Sequence, residues 1–443
     1  MQVKTTYREI LRISLPIMVA SVAQTILNIT DTAFLGRVGE IEMDASSIGG
    51  VFYFVLVMIG MALGIGSQIM IARKSGEKKE KEIGSIFDQS LLLMIIFSIV
   101  IFFVIEYVSP VFLSSYLKSK DVINQTNLFL HYRAFGIFFV MIAVAYRSFY
   151  VGIAETKIIT YSSFVMAGIN IILDYFLIFG KGGFPKMGIE GAAIASSTAE
   201  LFGALYYILY TKFQKVDIRF QLLRFKEFNK KSIAKILNLS APIMMQHLFS
   251  MGGWFIFFIV IERMGEHSLA ISTVIRNTLI IIMMPIWSYF TATNSMVSNI
   301  IGQGRSEDVL PLLKKIISFS VLTIIIIIAI ALMFPDFILG ISSSDTNLIH
   351  DSRNSLLIIC IASFVFSFSS ILLSAVSGTG STKVAMVIEF VTIFIYLGYL
   401  YVVVTKLNST VEVAWCAEIL YWLLMSIMSF TYLKSKRWKS IKL

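Results

Sequence analysis

The chain has 443 residues, of which 57% are hydrophobic and only 14% are charged. Soluble domains carry about 25% charged residues, so this composition excludes an ordinary soluble domain and indicates a protein that crosses the membrane many times. The formal net charge of +10 could suit a nucleic-acid partner, but its concentration in alternate loops indicates membrane orientation and no nucleic-acid binding.

Apolar runs separated by polar breaks predict twelve membrane-spanning helices, because a helix needs about 20 apolar residues to cross the hydrocarbon core. The first run is too long for a signal-peptide core and lacks a small-x-small cleavage site, so we expect it to be retained. The fold class is therefore an all-α membrane protein. In chain order the runs are 10–35, 48–72, 84–108, 125–150, 158–180, 188–211, 235–261, 269–297, 313–334, 354–376, 384–405 and 411–433.

Lysines and arginines follow the positive-inside rule. The loops on the other side of the membrane are much poorer in them. Both termini and the central loop are therefore predicted to be cytoplasmic, in a multi-pass protein of the cell membrane. The basic residues of the predicted cytoplasmic segments are Lys4, Arg8, Arg12, Arg73, Lys74, Lys78, Lys79, Lys81, Lys212, Lys215, Arg219, Arg224, Lys226, Lys230, Lys231, Lys235, Lys434, Lys436, Arg437, Lys439 and Lys442.

The two halves of the chain resemble each other. One shift of 226 positions carries Pro16 onto Pro242, and the same shift joins several loops and helix starts. Six spans separate equivalent points, so the halves form a parallel repeat, an architecture typical of transporters. We predict an N-terminal six-helix lobe (1–211), a cytoplasmic interlobe loop (212–234) and a C-terminal six-helix lobe (235–443). Further matches are Gly39-Glu40 with Gly265-Glu266, Gly76 with Gly302, Gly152 with Gly378 and Thr156-Lys157 with Thr382-Lys383.

Polar residues at membrane depth break the repeat in the first half. Asp31 lies in the first span, Asn170 and Asp174 lie four residues apart on one face of the fifth, and Ser196 lies in the sixth. Acids inside hydrocarbon are rare and usually functional. Their oxygens would suit Na⁺, and two poorly solvated carboxylates would equally suit a proton. The alternative is that each acid reaches toward the headgroups or pairs with an arginine.

Other polar residues are weaker candidates for lining a substrate cavity: Gln24, Asn28, Glu200, Gln246, Glu389 and Glu418. A structural hydrogen bond is an equal alternative for Glu200. For Glu389 and Glu418 the alternatives are a second coupling site and pairing with Arg147 or Arg276.

Pro16 would allow the first helix to bend, because proline removes a backbone hydrogen bond inside a helix. The alternative is that the helix simply begins one turn late.

No signature of an enzyme occurs in the sequence. It has no Gly-rich phosphate loop followed by Lys-Ser/Thr, no His/Cys metal spacing and no nucleophile elbow. We therefore expect neither a cofactor nor direct use of ATP. A membrane-embedded enzyme is the alternative that this absence disfavours.

Several of these stretches resemble a known family. LPIMVASVAQTILNITDTAFLGRVG resembles the first helix of the multidrug and toxic compound extrusion (MATE) transporters, and NIILDYFLIFGKGGFPKMGIEGAAIAS resembles their fifth and sixth helices. VAWCAEILYW resembles their last helix. The resemblance implies a V-shaped pair of lobes with alternating access, efflux of organic, often cationic, compounds in exchange for H⁺ or Na⁺, and a coupling-cation site at Asp31, Asn170, Asp174 and Ser196. It also implies that Pro16 is the bending point.

The first-half cluster resembles the archaeal and DinF-like branches more than the NorM branch, since no acid in the seventh or tenth span matches the carboxylates of the latter. We therefore predict a monomeric secondary antiporter that acts on small organic substrates among membrane lipids. A lipid-linked saccharide flippase of the same wider superfamily is the alternative. It needs basic residues in its cavity, and Arg147 and Arg276 keep it open.

Overall fold

The computed structural model describes residues 2–225 and 229–441. Within those ranges the protein is helical, and twelve helices are long and apolar enough to cross a membrane, as the sequence predicts. Two of the predicted basic positions, Lys226 and Lys442, lie outside the described residues. The chain is therefore a multi-pass membrane protein.

The long helices extend beyond the predicted apolar runs at several ends. The second helix covers Glu40–Gly76 where 48–72 was predicted, and the eighth covers Glu266–Gly302 where 269–297 was predicted. Apolar runs mark only the part inside hydrocarbon, whereas helical turns continue into the polar zone. The first six are α1 (Tyr7–Gly36), α2 (Glu40–Gly76), α3 (Glu80–Phe103), α4 (Lys120–Gly152), α5 (Lys157–Phe179) and α6 (Ile189–Phe213).

The third span does not end with α3. It continues through a π-helical turn, Val104–Val108, into Ser109–Tyr116. Pro110 follows this turn and cannot donate to the carbonyl four residues earlier, so the wider turn accommodates it.

The remaining long helices are α7 (Lys230–Glu262), α8 (Glu266–Gly302), α9 (Val309–Met333), α10 (Thr346–Gly378), α11 (Thr382–Leu400) and α12 (Val411–Lys434).

The described chain divides into two compact units. The first contains Leu15–Ser240, and the second contains Gln2–Ser14 together with Ala241–Leu443. Both divisions fall within two residues of a proline, Pro16 in α1 and Pro242 in α7. Pro16 lies well inside α1, so the alternative that its helix begins one turn late is wrong.

Part of the predicted interlobe loop is helical and is attached to the first unit. Val216–Phe220 forms a short helix whose last residue, Phe220, is 1% exposed and packs against Phe149 with ring centroids 5.4 Å apart. The buried carboxylate of Asp88 on α3 accepts hydrogen bonds from three successive backbone N–H groups of residues 223–225, at 2.7, 2.9 and 3.0 Å. The first part of this connection is therefore fixed against α3.

Candidate cation-coupling site

Two of the predicted site residues project from one face of α5. Asn170, Asp174 and Ile178 are spaced four residues apart and are all fully buried. A helix repeats every 3.6 residues, so this spacing forms a continuous stripe, and in this unit that stripe faces the protein interior. Asn170 and Asp174 therefore enter the first unit one above the other.

The structure brings all four residues of the predicted cluster together. The carboxyl groups of Asp31 on α1 and Asp174 on α5 lie within hydrogen-bond distance of each other, and Ser196 on α6 bonds to Asp31. One oxygen of Asp174, Oδ1, is buried without a hydrogen-bond partner. Two carboxylates in contact repel each other inside a poorly solvated site, so the arrangement requires a shared proton or a bound cation.

The orientation of the Asn170 amide distinguishes a site with a shared proton from a site with a bound metal cation. With its NH₂ group turned toward the acids, Nδ2 donates to Asp31 Oδ1 at 2.7 Å and to Asp174 Oδ2 at 3.2 Å, while the amide oxygen accepts from Ser196 Oγ at 3.3 Å. The opposite orientation directs the amide oxygen at the carboxylates and leaves Nδ2 to donate to Ser196. Facing oxygens are favourable only with a cation between them. Only the first orientation satisfies every group of the amide without a cation.

Arg133, which was not predicted as a site residue, lies beside this cluster. Arg133 on α4 donates from Nη2 to Glu200 Oε1 at 2.6 Å, and its guanidinium lies 4.0 Å from the ring centroid of Tyr53. Its Nη1 is buried without a partner, and its charge acts on both Asp31 and Asp174. The available signal was its position inside the fourth apolar run, where a basic residue calls for a partner.

Glu200 is therefore held in a buried ion pair, and it also accepts a hydrogen bond from Tyr53 Oη at 3.3 Å. These contacts agree with the alternative given for Glu200 from the sequence, a structural hydrogen bond. The other tentative cavity residues of the first unit, Gln24 and Asn28, are exposed on α1. No described hydrogen bond joins either of them to the acid cluster.

The tentative residues of the second unit are all buried. Gln246 is 8% exposed on α7. Glu418 accepts from Tyr396 and Trp422, and Glu389 accepts from Tyr421.

Pairing of these glutamates with an arginine is wrong for the described residues. Arg276 donates instead to Asn277 and lies over the Phe258 ring. No ion pair joins Arg147 to either glutamate in the described ranges.

Pro16 has a direct link to α5. Thr160 Oγ1 donates to the Pro16 carbonyl at 2.7 Å. This bond ties the proline turn of α1 to the helix that carries Asn170 and Asp174.

Two stretches of the chain, residues 16–176 and 242–402, each match the family model described as MatE. They are displaced by the same 226 positions as the repeat read from the sequence. The chain belongs to the MatE family. The matches cover most of the chain, so this MatE protein is a membrane transporter of the multidrug efflux class and not an enzyme. Transporters of this family are ion-coupled antiporters.

Individual proteins support this assignment. A probable multidrug resistance protein NorM from Thermotoga maritima is 25% identical over 98% of this chain and 93% of its own length. Another probable NorM, from Pasteurella multocida, is 25% identical over 89% of this chain and 84% of its own.

Solved structures show the same fold. A MOP superfamily transporter from Pyrococcus furiosus Vc1 matches with a TM-score of 0.90 at 18% identity, covering 97% of this chain and 95% of that one. An outward-facing multidrug resistance MATE family transporter matches with a TM-score of 0.89 at 19% identity, with the same coverage.

Proposed function

We propose that this MatE transporter is a proton-driven antiporter that exports organic, often cationic, compounds, and that Asp31, Asn170, Asp174 and Ser196 form its coupling site. The observation that carries the proposal is the contact between the Asp31 and Asp174 carboxyl groups. A buried pair of this kind is stable with one proton between its members and unstable when both are ionised. Loss of the shared proton therefore raises the free energy of the site.

The proposal of a proton instead of Na⁺ rests on the donors around the pair. Asn170 satisfies its whole amide group only when its NH₂ faces the acids, and this leaves its oxygen unavailable to a metal ion. Arg133 also supplies a fixed positive charge close to both aspartates. That charge opposes an added proton and an added Na⁺ alike, so the choice of a proton rests on the orientation of the Asn170 amide.

Thermodynamic linkage between proton binding and substrate binding then leads to exchange of the two across the membrane. Proton binding at Asp31 and Asp174 favours one arrangement of the first lobe, and a substrate that prefers the other arrangement is released when the proton binds. We propose that the two six-helix lobes, residues 1–211 and 235–443 joined by the loop 212–234, are the moving bodies. Pro16 would serve as the bending point of α1.

We further propose coupling through the first lobe, as in the archaeal and DinF-like branches. The only acid in α7 is its last residue, Glu262, and the only acid in α10 is Asp351, near its start. Neither helix offers a carboxylate in its central turns. We expect a monomer in the cell membrane with both termini in the cytoplasm, because its basic loops follow the positive-inside rule. The relatives named for multidrug resistance support export over the flippase alternative.

Export from proteoliposomes tests the proposal. Purified protein would be loaded with a fluorescent organic cation, and efflux would be measured under an imposed pH gradient or an imposed Na⁺ gradient. We expect the pH gradient alone to drive export, Asp31→Asn to abolish it, and Asp44→Asn, an exposed acid on α2, to leave it unchanged. Full export by Asp31→Asn, or export driven by Na⁺ at constant pH, would contradict the proposal.

A further inference from the structure

The second unit has side chains of different chemistry at the positions that match the proposed coupling site of the first unit. The repeat carries Asn170 on α5 onto Tyr396 on α11. Aligning the first residues of α6 and α12, Ile189 and Val411, carries Ser196 onto Glu418. The polar pair of the first unit therefore has a counterpart in the second, in which the amide has become a phenol and the hydroxyl has become a carboxylate.

The two equivalent pairs are both in contact. Asn170 and Ser196 are joined by a hydrogen bond of 3.3 Å, and Tyr396 Oη donates to Glu418 Oε1 at 3.2 Å. Trp422 Nε1 donates to the other oxygen of Glu418 at 3.1 Å. The packing of the repeat thus holds a carboxylate at the same helix crossing that holds Ser196 in the first unit.

A second carboxylate extends this network. Glu389 on α11 accepts a hydrogen bond from Tyr421 on α12, whose ring lies 5.7 Å from that of Tyr396. Glu389 is 4% exposed and Glu418 is 2% exposed. Both carboxylates are therefore inside the unit and out of contact with bulk water.

No positive charge balances these two carboxylates in the described part of the second unit. The titratable groups that face them are the phenols of Tyr396 and Tyr421. The ionisable groups in the central turns of the neighbouring helices, Arg276 on α8 and His247 on α7, form no described ion pair with either carboxylate.

Burying two ionised carboxylates against neutral donors carries a desolvation cost that no nearby cation offsets. A bound proton removes that cost.

A third helix packs against this network. Phe366 on α10 contacts Trp422 with ring centroids 4.6 Å apart. The indole that donates to Glu418 is therefore packed against α10.

We propose that Glu418, held by Tyr396 and Trp422, and Glu389, held by Tyr421, form a second proton-binding site in the second unit. Sodium fits it poorly, because Na⁺ prefers several oxygen ligands, whereas the Trp422 indole offers none and the hydroxyl hydrogens of Tyr396 and Tyr421 point at the carboxylates. An organic cation does not fit it, because both side chains are almost completely enclosed. The site is independent of the proposed coupling pair, and it gives the transporter a second place to take up and release protons.

Infrared difference spectroscopy of the purified protein in lipid nanodiscs tests the proposal directly. At neutral pH we expect a carboxylic-acid C=O band that is reduced in Glu418→Gln and in Glu389→Gln. It should be unchanged in Glu412→Gln, which alters an acid in the first turn of the same helix. Trp422→Phe should keep the band but move it to higher frequency, since one hydrogen bond is lost. A band that is absent from the parent, or that is the same in all variants, would overturn the proposal.

A second measurement distinguishes loss of the proton-binding site from misfolding of the variant. Glutamine keeps an acceptor oxygen for Trp422, and its NH₂ group can donate to the Tyr396 hydroxyl oxygen. Glu418→Gln should therefore elute as the same single peak in gel filtration. Proton uptake on a downward pH jump, followed with an indicator dye, should then be smaller than in Glu412→Gln.

Asp31→Asn should retain the band assigned to Glu418 and Glu389. Unchanged bands and uptake in Glu418→Gln, with export still lost in Asp31→Asn, would overturn only the second site. Normal export in Asp31→Asn, with the Glu418 band present, would overturn only the proposed coupling site.

Discussion

The ion pair between Arg133 and Glu200 gives the sharpest test of how the first unit is stabilised. The side chains are only 10% and 12% exposed and lie 2.6 Å apart. Surface pairs contribute about 0–1 kcal/mol, but removing one partner of a buried pair costs about 3–5 kcal/mol, because the remaining charge is uncompensated. Glu200→Gln should therefore destabilise the protein by up to about that amount, since the guanidinium would keep only the Tyr53 ring and the charge of the neighbouring aspartates.

The double variant Arg133→Met/Glu200→Met is the matched control. Replacing a whole buried pair by apolar side chains of similar size is neutral or stabilising, so its thermal unfolding midpoint, measured by size-exclusion chromatography after heating, should return to that of the parent. Glu200→Gln should also slow export driven by a pH gradient, because the freed guanidinium competes with the proton at Asp31 and Asp174. An unchanged midpoint in Glu200→Gln, or an equal loss in the double variant, would refute this reasoning.

Three further substitutions probe other contacts. Gly84→Ala would place a Cβ about 2.0 Å from the Phe220 carbonyl oxygen, so the short helix should detach and residues 216–225 should exchange amide hydrogens faster; unchanged exchange would argue against this packing. Thr160→Val removes the hydrogen bond to the Pro16 carbonyl, and we expect altered export rates with a loss of about 1 kcal/mol in the free energy of unfolding. An unaltered export rate would show that this hydrogen bond does not influence the bending of α1. Burial raises the pKa of Glu77, but two neighbouring lysines lower it by more, to below its ordinary value. Its small stabilising effect should be complete above the ordinary pKa and disappear as the pH falls through the folded one, so Glu77→Gln should flatten the acid side of a plot of unfolding midpoint against pH, and an unchanged slope would contradict this.

Part of the site could be predicted from local spacing. Asn170 and Asp174 share a helix face because they are four residues apart, and this relation holds wherever the helix packs. Arg133 was missed for the opposite reason. Its importance depends on Glu200 and Tyr53, which come from two other helices.

The partners of Glu389 and Glu418 could not be predicted either. Pairing with an arginine was one of the alternatives, but the structure supplies tyrosine and tryptophan donors from α11 and α12. Within one helix, the spacing from Glu418 to Trp422 could have indicated a contact. The tyrosine contacts cross between helices and depend on how α11 and α12 are rotated against each other.

The sequence by itself determined the number of spans, the internal repeat and the depth of the acids. The spans and the depth of the acids follow from where apolar runs begin and end, and lipid imposes that pattern directly. The repeat follows from residues that one shift of 226 positions matches. Only the tertiary structure decided which other side chains meet: Arg133 with Glu200, and Tyr396 with Glu418. In a membrane both the lipid-facing and the protein-facing sides of a helix are apolar, so hydrophobic periodicity does not reveal which side is inside. Packing between helices supplies that information.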